Sequence, residues 1–227
     1  MPGPLLISAS TGLPLFVIVF VALPFRRRWA RLNAGVLGLL LALVITASIT
    51  DFVKNLVGRP RPDMLARCKP QGMDMISSHK LVDSSICTTP ASSSRLANGF
   101  KSFPSGHSSL SFAGLVYLAL FLHCALCHMV VRFATQAYAL YEEAPREDAA
   151  EALEDIGGDD RKESEAPRYL VASAVVVPLL PIMLAVYIAL SRLMDYRHHP
   201  TDVLAGSVLG TVVASTIFFV YHSRGAM

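Results

Sequence analysis

Five stretches of this chain contain no Asp, Glu, Lys or Arg, and they cover residues 1–25, 32–50, 102–131, 169–191 and 203–223. A helix needs roughly 20 mostly apolar residues to cross a bilayer, where it satisfies its own backbone hydrogen bonds. The whole chain is 53% apolar and only 16% charged, which is too little charge for the surface of a soluble domain. We therefore predict an all-α fold, a polytopic bundle of transmembrane helices forming one membrane domain over residues 1–227.

The five spans are predicted at about residues 5–25, 33–57, 105–131, 169–191 and 201–222. The first has no basic residues before its apolar run, so we interpret it as a retained span and not as a signal peptide. A basic cluster follows it, formed by Arg26, Arg27, Arg28 and Arg31. The positive-inside rule makes this short connection cytosolic. By alternation, residues 58–104 and 192–202 lie on the lumenal or extracellular face, a topology that fits the ER, the Golgi or the vacuole.

The segment 134–168 carries eleven acidic residues against four basic ones. Such a block of like charge is typical of a solvated, partly disordered loop, here on the cytosolic side, with a short amphipathic helix or a regulatory site as the alternative. Outside this segment the chain has six Asp against sixteen Lys and Arg. The remaining basic residues therefore need an anionic partner.

The four cysteines fall into two settings. Cys68 and Cys87 belong to the loop on the oxidising side, so a disulfide between them and two free thiols are both open. Cys124 and Cys127 lie inside a span, where we expect them to act as small apolar packing residues and not as a metal or redox motif.

The first polar interruption near the lumenal face is DFVKNLVGRPRPD, residues 51–63. Lys54 lies in the last turn of the second span, and the prolines around Arg61 end the helix and stiffen the chain that leaves it. Both bases could then point at one anion above the helix end. The alternative is a pair of basic side chains that snorkel to the interface.

The second interruption is the start of the third span, FPSGHSS. Ser105 and Gly106 occupy the N-cap and first turn, where free amides and the helix dipole favour an anion. His107 follows on the same turn, beside whatever those amides bind. A capping serine next to an incidental histidine is the alternative interpretation.

The third interruption joins the last two spans, SRLMDYRHHPTD. Arg192 ends the fourth span, and His198 precedes Asp202 by four residues. A helical turn would place the carboxylate beneath the imidazole, where it can accept a ring proton and leave the other nitrogen as a nucleophile. A histidine capping the helix and an aspartate favouring its N-terminus would explain the same pattern.

Together these groups provide three cations, helix amides, two imidazoles and a carboxylate at one membrane face. This combination matches phosphoryl transfer, in which catalysis consists mainly of positioning and neutralising the phosphoryl group. The Asp residues on this face are scattered without ligand spacing, so we expect no metal site and no cofactor.

The three motifs make the chain similar to the type 2 phosphatidic acid phosphatases, the lipid phosphate phosphatases. The signature of this family is K-x6-R-P, P-S-G-H and S-R-x5-H-x3-D, and every position is filled in the right order between about residues 34 and 222. The surrounding stretches GRPRPDMLARC and FKSFPSGHSSLSFAG resemble the fungal members similar to diacylglycerol pyrophosphate phosphatase.

The resemblance implies a role for each motif residue. His198 would attack phosphorus to give a phosphohistidine, Asp202 would orient it, and His107 would protonate the leaving group. The phosphoryl oxygens would be bound by Lys54, Arg61, Ser105, Gly106 and Arg192. Only the family spacing distinguishes His198 from its neighbour His199. Family members normally have six spans, with two before the lysine, so one helix of the usual set is missing here.

We therefore expect a metal-independent membrane phosphatase that acts on phosphatidate, lysophosphatidate or diacylglycerol pyrophosphate. Its expected partners are the lipid substrate and the bilayer, with no nucleic acid. Vanadium haloperoxidases resemble this family in their motifs and bind vanadate in place of phosphate. They are soluble proteins, so the five predicted spans argue against haloperoxidase chemistry. A non-catalytic lipid-phosphate binding or transport protein is the other alternative, and it would be expected to lack one of the histidines.

Overall fold

The computed structural model describes residues 3–24, 28–71, 86–90, 92–143 and 165–222. The predictions for Arg26, Arg27 and most of the acidic segment, residues 144–164, fall outside these ranges. Within them every regular element is a helix. The elements are α1 (Gly3–Ile7), a π-helical turn (Ser8–Gly12), α2 (Leu13–Ala22), α3 (Arg28–Val57), α4 (Met64–Cys68), α5 (Ser94–Ala97), a 3-10 turn (Asn98–Phe100), α6 (Gly106–Glu143), α7 (Glu165–Val176), α8 (Leu179–Met194) and α9 (Pro200–His222).

Five helical segments in the described part are long and apolar enough to cross a membrane. They are Leu5–Ala22, Trp29–Val57, Gly106–Gln136, Tyr169–Met194 and Pro200–His222. The predicted all-α polytopic bundle with five spans is confirmed, and the chain is an integral membrane protein.

The helices differ from the predicted bounds in several places, and α3 already begins at Arg28, inside the predicted basic connection. Helix α6 continues to Glu143, so the residues from 134 to 143 are helical although the sequence placed them in the acidic loop. The fourth span consists of two helices, α7 and α8, which meet at Val177 and Pro178. Proline lacks the N–H that a continuous helix would need, and the chain turns there with Leu180 N–H donating to the Val177 carbonyl at 3.2 Å.

Helix α6 is the centre of the bundle. In its apolar span 61% of the residues are buried, compared with 28–33% in the other four. Tyr117 of α6 is fully buried, and its hydroxyl donates to the carbonyl of Ala34 on α3 at 3.1 Å. Its ring meets Phe218 of α9 edge to face, with 5.6 Å between centroids. One central helix therefore fixes the positions of α3 and α9.

The backbones of α6 and α9 come into direct contact. A Cβ added at Gly206 of α9 would lie 2.6 Å from the carbonyl oxygen of Ser105, and one at Gly210 would collide with the carbonyl of Ser109. Small residues four apart allow this close approach of helices in a membrane. At the end of the crossing, the N–H of Ser105 donates to the carbonyl of Asp202 at 3.0 Å. The crossing thus joins the N-terminal ends of α6 and α9.

Replacing Gly210 by Ala should loosen this crossing. The new Cβ would also lie 2.8 Å from the amide nitrogen of Ala113, and backbone atoms cannot move aside as a side chain can. Overpacking typically costs about 1–3 kcal/mol. We expect the thermal unfolding midpoint of Gly210→Ala in detergent micelles to fall by several degrees.

Gly12→Ala is the matched control, because its new Cβ would meet nothing closer than the Cβ of Ser8 at 4.0 Å. Its midpoint should not fall. An unchanged midpoint for Gly210→Ala, or an equal fall in both variants, would contradict the close crossing of α6 and α9.

Candidate active site

The chain leaves α3 through a tight turn and then runs across the end of the bundle. Gly58 adopts a left-handed conformation, with φ of 62°, as is common directly after a helix. The following segment pairs with the residues before α6. The N–H of Arg61 donates to the carbonyl of Gly99 at 2.8 Å, and the N–H of Ser102 donates to the carbonyl of Arg59 at 3.0 Å. The first and second motifs are therefore joined by backbone hydrogen bonds.

The described residues between α3 and α6 form a small cap that contains this pairing. Cys68 and Cys87 form a disulfide, which was one of the two possibilities left by the sequence. Arg67 binds Asp63 through two hydrogen bonds of 3.0 and 2.8 Å. These links join residues of the cap to one another, directly after the Arg59 to Pro62 segment.

The carboxylate of Asp202 is fully buried and binds groups from three parts of the chain. Its Oδ1 accepts from Nη1 of Arg59 at 2.6 Å. Its Oδ2 accepts from the hydroxyl of Ser102 at 2.5 Å and from the N–H of His199 at 3.0 Å. The last bond is helix capping, in which a residue of the first turn of α9 accepts from the residue before the helix.

The imidazole of His198 is buried beside this carboxylate, with 5% of the residue exposed. Its Nδ1 donates to the carbonyl oxygen of Ser102 at 2.8 Å and lies 3.9 Å from Oδ2 of Asp202. A carbonyl can only accept, so the proton of the neutral ring is on Nδ1 and Nε2 carries the lone pair. The group that directly orients the His198 ring is thus the backbone carbonyl of Ser102. The carboxylate of Asp202 is instead bonded by the ring of His199, at 3.3 Å.

His198 is neutral at physiological pH. Burial and then the positive charge of Arg61 lower the pKa of His198 to about 4, against the opposing effects of the Ser102 carbonyl and Asp202. The charge of Lys54 acts in the same direction as that of Arg61. The imidazole therefore keeps its lone pair, and two cations from the first motif are close enough to influence it.

The first turn of α6 provides the second motif. Ser105 caps the helix, because its hydroxyl accepts from the N–H of Ser108 at 3.4 Å. The ammonium group of Lys54 packs against Gly106, so closely that an added Cβ would lie 2.6 Å from Nζ. His107 follows on the same turn and is half-buried. The amides at the start of α6, the lysine and this histidine are thus neighbours.

Arg61 is half-buried near the same place. Its Nη2 donates to the carbonyl of Lys101 at 3.3 Å, and its buried Nε has no acceptor among the residues that the structure describes. Burial and then the charge of Arg67 lower the pKa of Arg61, a sign of positive potential around it. A guanidinium remains charged nevertheless, so this group can donate to an anion.

Arg192 lies in the last turn of α8 and is buried. Its Nη2 donates to Asp195 at 2.6 Å and its Nε to the hydroxyl of Ser191 at 3.2 Å. This predicted phosphate-binding residue thus has a carboxylate partner on its own turn.

The structure joins the three motifs at one end of the bundle through bonds among Arg59, Ser102, Ser105, His198 and Asp202. Two of these residues, Arg59 and Ser102, were missed by the sequence analysis. Arg59 lies two residues before Arg61 and Ser102 three before Ser105, and a polar residue so close to a predicted one was the available signal. Across the described ranges, no three His, Cys, Asp or Glu side chains are grouped to hold a metal ion.

The family pattern of the "PAP2 superfamily" matches residues 35–226, a range that contains all three motifs. The chain belongs to this superfamily. It is 36% identical to "Probable diacylglycerol pyrophosphate phosphatase 1" of Schizosaccharomyces pombe, over 81% of this chain and 52% of that protein. It is 36% identical to "Diacylglycerol pyrophosphate phosphatase 1" of Saccharomyces cerevisiae, over 81% and 50% respectively. With "Lipid phosphate phosphatase 2" of Arabidopsis thaliana the identity is 33%, over 88% and 55%.

The chain spans about half the length of these curated PAP2 relatives. No solved structure matches it. Membership of the PAP2 superfamily thus rests on the sequence, and the geometry of the site adds what each motif residue contacts.

Proposed function

We propose that this protein hydrolyses lipid phosphate monoesters or pyrophosphates, without a metal, through a phosphohistidine on His198. The observation that supports this most is the state of that imidazole, whose Nδ1 donates to Ser102 and whose pKa is lowered to about 4. A neutral Nε2 beside two cations is suited to attack a phosphoryl group. The named relatives are phosphatases of diacylglycerol pyrophosphate and of lipid phosphates, which suggests substrates of that class.

In the proposed binding step the phosphoryl oxygens lie between the first two motifs. Lys54 and Arg61 supply positive charge, and the first amides of α6 supply neutral donors beside Gly106. The proposed contribution of the Ser105 hydroxyl is a further hydrogen bond, and that of Arg192 is positive charge from the α8 side. Donors that are already held in place can stabilise the charge of the transition state without reorganising.

In the first chemical step, the lone pair of Nε2 of His198 forms a bond to phosphorus. The bond from phosphorus to the leaving alcohol or phosphate oxygen breaks, and that oxygen receives a proton from a protonated His107. The imidazole becomes positively charged. The Ser102 carbonyl and the carboxylate of Asp202, 3.9 Å from Nδ1, stabilise this charge.

In the second step, a water molecule attacks phosphorus and the bond to Nε2 breaks, returning its electron pair to the imidazole. His107, now neutral, takes the proton of the water and is restored for the next cycle. Arg59 and the backbone N–H of His199 act indirectly, because they hold the carboxylate of Asp202 and with it the loop that carries His198.

The proposed site lies at one end of the helix bundle, where the headgroup of a lipid can reach it while the acyl chains stay in the bilayer. The arginines after the first span support a lumenal or extracellular position for this end, by the positive-inside rule. We propose phosphatidate, lysophosphatidate and diacylglycerol pyrophosphate as substrates, since each presents a terminal phosphoryl group.

The first test is release of phosphate from phosphatidate in detergent micelles containing EDTA. The wild type should be active, and His198→Gln should lose at least about 10³-fold in kcat, because removing a nucleophile leaves only binding and transition-state stabilisation. His199→Gln is the matched control and should retain most activity. Activity that requires added Mg²⁺, or that survives His198→Gln, would contradict the proposal.

The second test is the pH dependence of kcat/KM, whose acid limb includes the titration of the free nucleophile. Because the charge of Arg61 lowers the pKa of His198, Arg61→Gln should raise that pKa and move the acid limb to higher pH, by on the order of one unit. Ionisation of the substrate affects the wild type and Arg61→Gln equally. The difference between their pH profiles therefore reflects the titration of groups in the enzyme.

Arg95→Gln removes a charge from an exposed side chain of the same cap and is the control for this comparison. Its profile should match that of the wild type. An acid limb that stays in place in Arg61→Gln, or moves to lower pH, would show that Arg61 does not act on the nucleophile.

A further inference from the structure

A groove of about 530 Å³ runs between α8 and α9. Phe112 of α6 contributes to its lining, together with Val186, Ala189, Leu190 and Leu193 of α8 and a longer row of residues on α9. This volume falls within the range of small-molecule sites, roughly 300–1,000 Å³. Any lipid-facing surface is apolar, but this part of the surface is also concave.

One end of the groove lies beside the start of α9, the helix turn that carries Asp202. Pro200 and Val203 line its upper end, and these two residues flank the fully buried Asp202 in the first turn of α9. Leu193 lines it from the last turn of α8, the turn that also carries Arg192. One end of the groove is therefore lined by sequence neighbours of Arg192 and Asp202.

The groove offers no free polar groups in its described lining. Its two hydroxyls belong to Ser207 and Thr211, and each donates to a carbonyl one turn earlier on α9, at 2.9 and 2.8 Å respectively. All other lining side chains are apolar. The groove is thus suited to a hydrocarbon chain and not to a sugar, a peptide or a second headgroup.

The length and opening of the groove match an acyl chain in one leaflet. Its lining on α9 extends from Pro200 to Val212, which corresponds to about 18 Å along a helix. Half of a hydrocarbon core of roughly 30 Å is about 15 Å. Ala189 and Val203 are buried and form the floor, while Leu204 and Val208 are 66% and 54% exposed and form an edge open to lipid.

We propose that this groove binds one acyl chain of the lipid phosphate whose headgroup occupies the site at His198. The inference rests on the proposed function and extends it, because it assigns the recognition of the hydrocarbon chain to α8 and α9. It predicts that the length of the acyl chain affects catalysis through contacts in this groove. The basic groups of the proposed active site would contact only the phosphoryl headgroup.

The kinetic test fills the groove with Val208→Trp and compares dioleoyl with dibutanoyl phosphatidate in micelles. The position is open to lipid, so the larger ring replaces lipid contacts and not core packing. We expect kcat/KM for the dioleoyl substrate to fall at least 10-fold, with the dibutanoyl value unchanged within 2-fold. Val220→Trp, at a 58% exposed position of the same helix outside the groove, should leave both values unchanged.

Equal effects of Val208→Trp on both substrates, or no effect on either, would overturn the groove assignment while leaving the phosphatase proposal intact. A wild type that hydrolyses neither substrate would instead contradict the proposed function. The chain-binding inference then still has a test that needs no catalysis.

That test uses vesicles containing phosphatidate with a photoreactive diazirine near the middle of one acyl chain. After illumination, mass spectrometry should place crosslinks on residues 186–193 and 203–212 of the wild type. Phosphatidylcholine with the same chain should label these segments at least 5-fold less, since it lacks the terminal phosphoryl group. Equal labelling by both lipids would show ordinary contact with the bilayer and overturn the inference.

Discussion

The buried carboxylate of Asp202 holds the site together. A charge without exposure to water must be matched by donors, and this one receives hydrogen bonds from Arg59 after α3, from Ser102 before α6 and from the backbone of His199. The same residue accepts the N–H of Ser105 through its own backbone carbonyl. Two segments that are far from Asp202 in sequence are therefore fixed to this one residue at the start of α9. The close glycine crossing of α6 and α9 brings that residue into reach.

The Ser102 carbonyl orients the ring of His198, and the more distant carboxylate of Asp202 provides negative charge. A carboxylate bonded directly to His198 would do both. The Ser102 carbonyl fixes the tautomer of His198 without adding a full negative charge, and burial together with Arg61 keeps the ring neutral. The carboxylate at 3.9 Å is near enough to stabilise the positive ring that the proposed phosphohistidine would carry. A free lone pair before attack and a stabilised cation after it are both needed by the proposed mechanism.

The sequence predicted the fold class well because each span is a long uncharged run, a strong and local signal. It also identified the three motifs, whose residue types and spacing are local as well. The hydrogen bonds of Asp202 could not be read in this way, because Arg59 and Ser102 are separated from it by 143 and 100 residues. The choice between His198 and His199 as the ring bonded to Asp202 depends on the exact turn before α9, since spacings of four and three residues are both compatible with a helix. Similarly, the break at Pro178 divides a run that composition alone presents as one span.

The central claim is that the phosphoryl group passes through Nε2 of His198. Its most direct test is to mix the protein with labelled phosphatidate for less than one turnover, quench in alkali, where phosphohistidine survives, and map the label by mass spectrometry. We expect a label on His198 that reaches a substantial fraction of the protein and disappears in His198→Gln. A label on His199, or turnover with no labelled histidine at any time, would contradict it.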